Sequence, residues 1–239
     1  MTQPVFSIVI PAFNEEKYLP QCLASVQKAA ARTGGKVEII VADNMSTDRT
    51  CDVARTHGAQ VVSTPDKPIS AVRNRGAAAA TGKYLVFIDA DDMMSENMLE
   101  EIKKVLDSGK YIGGGTAFVW ADRISLGILV TGLMQYVSFL LTRVSLFLFY
   151  TTAEAYHAVE GFNEKLYASE DWDFAFRLKR KAKERGLKYH NMFRARVTKS
   201  ARKFDEYGDW FIFRHPIKMI KAVFNNPEAT YELWYRPRR

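Results

Sequence analysis

Cysteine is scarce in this 239-residue chain: Cys22 and Cys51 are the only two, and they form no metal-binding or disulfide-framework spacing. A zinc module and a disulfide-stapled secreted fold are therefore poor fits, and a reducing compartment is expected. Histidine is equally sparse. His157 and His190 have no second ligand at useful spacing, and His57 precedes a glycine as the partner of a helix C-terminus would. The N-terminus lacks a basic leader segment, since VFSIVIP runs straight into PAFNEE. Neither a GxGxxG fingerprint nor a GxxxxGK[ST] loop occurs, so dinucleotide enzymes and P-loop ATPases fit badly.

Apolar residues are plentiful. At 47% hydrophobic content the chain can bury one large α/β core or two small ones. The net charge of +7 is unevenly spread. Residues 1–171 carry 16 Lys/Arg against 20 Asp/Glu, whereas residues 172–239 carry 18 against 7. A basic second part favours an anionic partner, either a membrane surface or a nucleic acid.

Strand and helix patterns alternate through the first half. Val5–Ile10, Val37–Ala42, Gln60–Ser63 and Tyr84–Ile88 read as strands. Between them lie a helix from the PAFNEE loop to about Ala31, one ending near His57–Gly58, and the small-residue helix Ser70–Ala80. This order predicts an α/β fold with a doubly wound, mostly parallel sheet. Successive strand ends deliver polar residues: Asn14 and Glu15, then Asp43 and Asn44, then Asp89, Asp91 and Asp92. In open α/β sheets that edge is where ligands bind.

YLVFIDADD, residues 84–92, is the centre of the pattern. Three carboxylates within four residues repel one another, so two readings stand: a site for a hard cation, or a solvated acidic turn capping the next helix. Oxygen-only ligands beside a phosphate would suit Mg²⁺ or Mn²⁺ rather than zinc.

IVIPAFNEEKYLPQCLASV, VADNMSTDRT, RNRGAAAATGKYLVFIDADD and EGFNEKLYASEDWDFAFRLKRK together resemble, in order and spacing, the family 2 glycosyltransferases of GT-A fold. The resemblance covers roughly residues 5–185. It implies a nucleotide-diphospho-sugar donor, a divalent metal at the DxD motif, and inversion at the anomeric carbon. Residue by residue, it implies that Pro11, Phe13 and Glu15 line the nucleoside pocket and that Asp43 accepts from the base. Arg73 would lie by the base or diphosphate, Asp89 by the ribose, and Asp91 would hold the metal. Asp171 of SEDWD would be the catalytic base. Arg202 or Lys203, in a TSaRr-like stretch, could reach the diphosphate. The chain departs from the family pattern at Asn44, at Met45 where glycine is usual, and at Glu160 of Glu160-Gly161-Phe162, where two glycines usually precede the phenylalanine. The QxxRW motif of processive synthases is missing, which favours a single-transfer enzyme.

A carboxylate at a helix start suits a base, because the helix N-terminus favours its ionised form. The same position equally suits plain helix-dipole compensation by Glu170, Asp171 and Asp173. Two stretches fall outside the catalytic pattern. Ile124–Thr142 is an uncharged run of nineteen residues, followed by a second apolar run through Tyr150. Since it separates the DxD from the proposed base, a single bilayer crossing would split one site, and an apolar helical insert over about 124–150 is expected. Trp210–Asn225 mixes aromatic and basic residues, as either a lipid-facing segment or a packed C-terminal helix would. The expected organisation is a catalytic domain over 1–195 and a basic aromatic extension over 196–239. The expected partners are a nucleotide-sugar donor and a lipid-linked or membrane-surface acceptor. The expected location is the cytoplasmic face of the cell membrane, with nucleic acid a poor fit. The rival is a non-catalytic binder of an anionic surface on the same fold.

Overall fold

Phe6–Ala12 is buried at every position, as a strand flanked by layers on both faces must be. The computed structural model describes residues 3–65, 68–117 and 119–210. Phe6–Ala12 (β1) leads into α1 (Leu19–Thr33), β2 (Val37–Asp43), α2 (Thr50–Thr56), β3 (Gln60–Ser63), α3 (Ile69–Ala78) and β4 (Tyr84–Phe87). The strand-helix alternation read from the sequence holds through this half. Beyond it follow β5 (Asp92–Met94), α4 (Met98–Asp107), β6 (Tyr111–Thr116), β7 (Val119–Ala121), α5 (Leu126–Thr142) and β8 (Phe147–Thr152). Then come α6 (Ala153–Ala158), α7 (Glu170–Glu184), β9 (Lys188–Met192), β10 (Val197–Lys199) and α8 (Arg202–Tyr207).

Seven strands form the main sheet in the order β3-β2-β1-β4-β8-β6-β9. All run parallel except β8, which is antiparallel to both β4 and β6. The register pairs Ala12 with Asp43 and Val9 with Phe87, so three strand ends and their polar loops share one edge. Side chains alternate between two cores. Ile8 and Ile10 face one that includes Leu23 of α1 and Ile102 of α4. Val9, Leu85 and Phe87 face the other, with Phe162, Phe174 and Leu178. In that second core Phe162 stacks on Phe174 at 4.2 Å and fixes the first turns of α7. The small residues of α3 allow close approach to the sheet: a Cβ on Gly76 would lie 2.5 Å from Val9 Cγ1.

A second sheet of three short strands, β5-β10-β7, stands beside the polar edge. Its register sets Lys199 opposite Asp92.

The expected apolar insert divides in two. Leu126–Thr142 is a helix, but Phe147–Thr152 is an interior strand of the main sheet, with Phe149 and Tyr150 buried. Arg143, left-handed at φ 54°, separates them. Among the described residues no helix is long and apolar enough to cross a membrane. The residues from 196 onward, read as an extension, contribute β10 and α8 to the small sheet and the polar edge. Of Trp210–Asn225, all but Trp210 lies outside the described residues.

Candidate active site

Asp89, Asp91 and Asp92 leave the end of β4 together, and three cations from distant parts of the chain meet them. Arg73, on α3, donates to Asp89 Oδ1 at 2.9 Å and to Asp171 Oδ1 at 2.8 Å, and is 3.2 Å from Glu170 Oε1. Its planar fork engages three carboxylates, which an ammonium could not do with the same geometry. The guanidinium also lies over the Phe162 ring at 5.2 Å. Lys199 of β10 reaches Asp92 Oδ2 at 2.9 Å and Asp89 Oδ2 at 3.6 Å. Arg202 of α8 reaches Glu15 Oε2 at 2.7 Å and Asp91 Oδ2 at 3.1 Å, and lies over the Tyr18 ring.

Burial and charge oppose each other here. Burial works to lower Lys199 and Arg202, but the surrounding carboxylates outweigh it and hold both above their ordinary values. Burial pushes Asp92 up to about 7 against the pull of Lys199, and raises Glu15 against that of Arg202. Glu170 is also pushed up to about 7, by burial and then by the neighbouring charge of Asp171. Burial raises Asp171 too, opposed chiefly by Arg73. The two acids differ in access: the Glu170 side chain is 10% exposed and that of Asp171 32%. Asp171 is therefore the more accessible of the two, while Glu170 meets Arg73 from the buried side.

The sequence-predicted residues fall into two groups. Glu15, Arg73, Asp89, Asp91 and Asp171 join the ion-pair network just described. Pro11, Phe13 and Asp43 stand at the ends of the neighbouring strands. Pro11 is buried opposite Ala42, and Phe13 is 43% exposed at the rim. Asp43 is buried, and its carboxylate accepts from the Ser46 amide at 3.2 and 3.3 Å. That bond holds the turn in which Met45 is left-handed at φ 56°. Glu160 is likewise left-handed at φ 60°. Both departures from glycine thus occupy backbone positions that glycine adopts without strain. Lys199 escaped the sequence reading, which pointed to Arg202 or Lys203 nearby. Its signal was a lone lysine within the otherwise β-prone VTK segment. The side chain of Lys203 is outside the described residues.

The donor chemistry fits a hard divalent cation. Asp91 offers carboxylate oxygen at the polar edge, and Asp92 Oδ1 is buried without a hydrogen-bond partner among the described residues. Cys22, behind the cluster, is no soft ligand, because burial and then the nearby carboxylates keep its thiol protonated. Among the described residues no three ionisable ligands form a metal cage. An ion at this edge would be held by one or two carboxylates, with substrate phosphates and water completing its shell, as Mg²⁺ often is.

The family model "Glycosyl transferase family 2" matches residues 7–124, from β1 through the acidic cluster to the foot of α5. Over these residues the chain belongs to glycosyl transferase family 2. This transferase family's model ends before Asp171, so that residue's place rests on the fold. The family 2 chain is 37% identical over 102 residues to a "PGL/p-HBAD biosynthesis glycosyltransferase" of Mycobacterium tuberculosis, covering 40% of this chain and 39% of that one. It thus spans about two fifths of that relative's length.

Solved structures share the GT-A fold. A mannosyltransferase from Pyrobaculum calidifontis in complex with GDP-Man and Mn²⁺ has a TM-score of 0.62 at 16% identity, over 98% of this chain and 70% of that one. S. aureus TarS 1–349 in complex with UDP-GlcNAc has a TM-score of 0.61 at 16% identity, over 95% and 70%.

Proposed function

We propose that this family 2 glycosyltransferase moves a sugar from a nucleotide-diphospho-sugar to an acceptor hydroxyl by a single inverting displacement. The observation that carries the reading is the convergence of Asp89 and Asp171, from elements about eighty residues apart, on the guanidinium of Arg73. A donor-side carboxylate and an accessible acid on another element thereby share one rigid centre.

In this reading the nucleoside lies along the ends of β1 and β2, beside Pro11, Phe13, Glu15 and Asp43. Asp89 faces the ribose. Asp91 would hold Mg²⁺ or Mn²⁺, which when bound would neutralise charge growing on the departing diphosphate. Arg202 exchanges part of its bond to Asp91 for the diphosphate. The acceptor oxygen attacks the anomeric carbon from the face opposite the leaving group and loses its proton to Asp171. The bond from that carbon to the β-phosphate oxygen breaks, and the nucleoside diphosphate leaves with the electron pair. Arg73 fixes the Asp171 carboxylate in place without filling both of its oxygens.

The acceptor in this reading is lipid-linked or part of a glycan at the cytoplasmic face of the cell membrane. The exposed apolar helix α5 and the basic composition of the C-terminal part support it. A panel of nucleotide-sugars, assayed for release of nucleoside diphosphate with Mn²⁺, with Mg²⁺ and with chelator, tests the reaction class. Release from at least one donor, dependent on metal, is expected. No release from any donor and no nucleoside diphosphate binding would favour the non-catalytic reading.

A further inference from the structure

α5 is turned inside out relative to an ordinary surface helix. Gly127, Thr131, Ser138 and Thr142 share the face toward the protein, and two of those hydroxyls are spent on the helix's own carbonyls, Thr131 on Gly127 and Thr142 on Ser138, each at 2.8 Å. The large side chains point away. Leu126, Leu129, Leu133, Tyr136, Leu140 and Leu141 are exposed, Leu133 by 61% and Leu141 by 81%. With 3.6 residues per turn, the exposed positions sweep more than half of the circumference. No Asp, Glu, Lys or Arg interrupts the helix. A soluble surface does not carry a contiguous apolar face of this kind without something to cover it.

Both ends of α5 are tied to site-bearing elements. At its foot, Arg123 pairs with Asp205 at 2.6 Å and with Asp209 at 2.9 Å, and Gly127 lies so close to Asp209 that a Cβ would be 2.1 Å from its carbonyl oxygen. Asp205 belongs to α8, the helix that carries Arg202. At the far end, Lys179 of α7 donates to the Thr142 carbonyl at 2.8 Å, and α7 carries Asp171 in its first turn. The helix therefore runs beside the site, fixed at both ends to one domain.

We infer that α5 is the membrane-docking element of this transferase, lying in the plane of an anionic lipid surface; the inference rests on the membrane-surface acceptor proposed above. Charge and chain geometry select lipid over the other occupants. The described chain ends at Trp210, one residue after the Asp209 contact at the foot of the helix. The following residues, 211–239, contain six Lys/Arg against two Asp/Glu. Basic sequence thus follows directly on the contact that holds the foot of the apolar helix, and an apolar face with basic sequence attached is the combination that binds anionic bilayers. A second copy on the same face would bring two such basic segments together. Exposed Trp210 and Trp120 suit the headgroup boundary.

The test is flotation of the full chain with vesicles of phosphatidylcholine alone and of phosphatidylcholine with phosphatidylglycerol, alongside light scattering and nucleoside diphosphate binding on the same preparations. Wild type should float with the anionic vesicles at low salt. The double variant Leu133→Asp, Leu141→Asp should lose at least about tenfold in partition, because each charge must enter the interface. Its nucleotide binding should be unchanged. Equal flotation of wild type and variant would overturn the assignment and give docking to the C-terminal segment alone. No flotation of wild type would overturn it as well; a dimer broken by the same substitutions would then name a second copy as the occupant. Nucleotide binding and donor turnover stand apart from these outcomes, so a wild type that does not float but turns over donor removes the docking element and not the transferase reading.

Discussion

Replacing Arg73 with methionine removes the one cation shared by Asp89, Glu170 and Asp171 while keeping most of the side chain's length. The Arg73 side chain is 6% exposed. Breaking a buried ion pair from one side typically costs about 3–5 kcal/mol, because the charge left behind is neither solvated nor paired. Here the abandoned groups are acids that can take up protons, so the loss depends on pH. Glu170 is already held near 7 with Arg73 opposing the shift; without Arg73 it rises further, and Asp171 with it. An acid whose folded value lies above its unfolded one adds stability below the unfolded value and loses it as pH rises toward the folded value. The variant should therefore be destabilised by about 3–5 kcal/mol near pH 8 but only by about 1–2 kcal/mol near pH 5, where lost hydrogen bonds and packing remain. Urea unfolding of both proteins at the two pH values measures this. Equal destabilisation at both, or less than about 1 kcal/mol near pH 8, would refute the claim that Arg73 compensates these acids. Arg73→Lys should recover only part of the loss, since a single ammonium cannot fork between three carboxylates.

Further outcomes are expected. Asp91→Asn should abolish the metal-dependent part of nucleoside diphosphate binding, and Asp89→Asn should weaken binding by about 1–3 kcal/mol, as loss of one charged hydrogen bond does; calorimetry with and without Mn²⁺ separates the two, and unchanged affinity in Asp91→Asn would remove it from the metal site. Met45→Gly should be neutral to stabilising by up to about 1 kcal/mol, because relief of the left-handed strain is partly offset by the entropy of an unfolded glycine; a clear loss in thermal unfolding would show that the Met45 side chain makes a favourable contact.

Much of the first half was legible because its strands are continuous apolar runs. β3 lies at Gln60–Ser63 as expected, and β1, β2 and β4 differ from expectation by a residue or two at their ends. The second half was harder for physical reasons. β6 is YIGGGT, whose glycines carry no alternation but admit close backbones: a Cβ on Gly114 would lie 1.9 Å from the His190 carbonyl oxygen. β8 follows an apolar helix with little change in composition, and only the left-handed turn at Arg143 divides them. In the site, the carboxylates were legible as a strand-end cluster. Of their partners, Arg73 and Arg202 were named through the resemblance, but Lys199 was not, because it is more than a hundred residues away in sequence and meets the cluster only through β10, whose register is a property of the fold.

The assignment of Asp171 as the base is the centre of the account. Asp171→Asn keeps the size of the side chain and an oxygen for Arg73, and Asp171 lies on α7, outside the nucleotide contacts proposed for Pro11, Phe13, Glu15, Asp43 and Asp89. Turnover of the donor to which the wild type responds, and affinity for its nucleoside diphosphate, are to be measured on one preparation of the variant. The account predicts a fall in rate of about 10²- to 10⁴-fold with affinity essentially unchanged. Wild-type turnover would contradict it, and so would an affinity that collapses together with the rate.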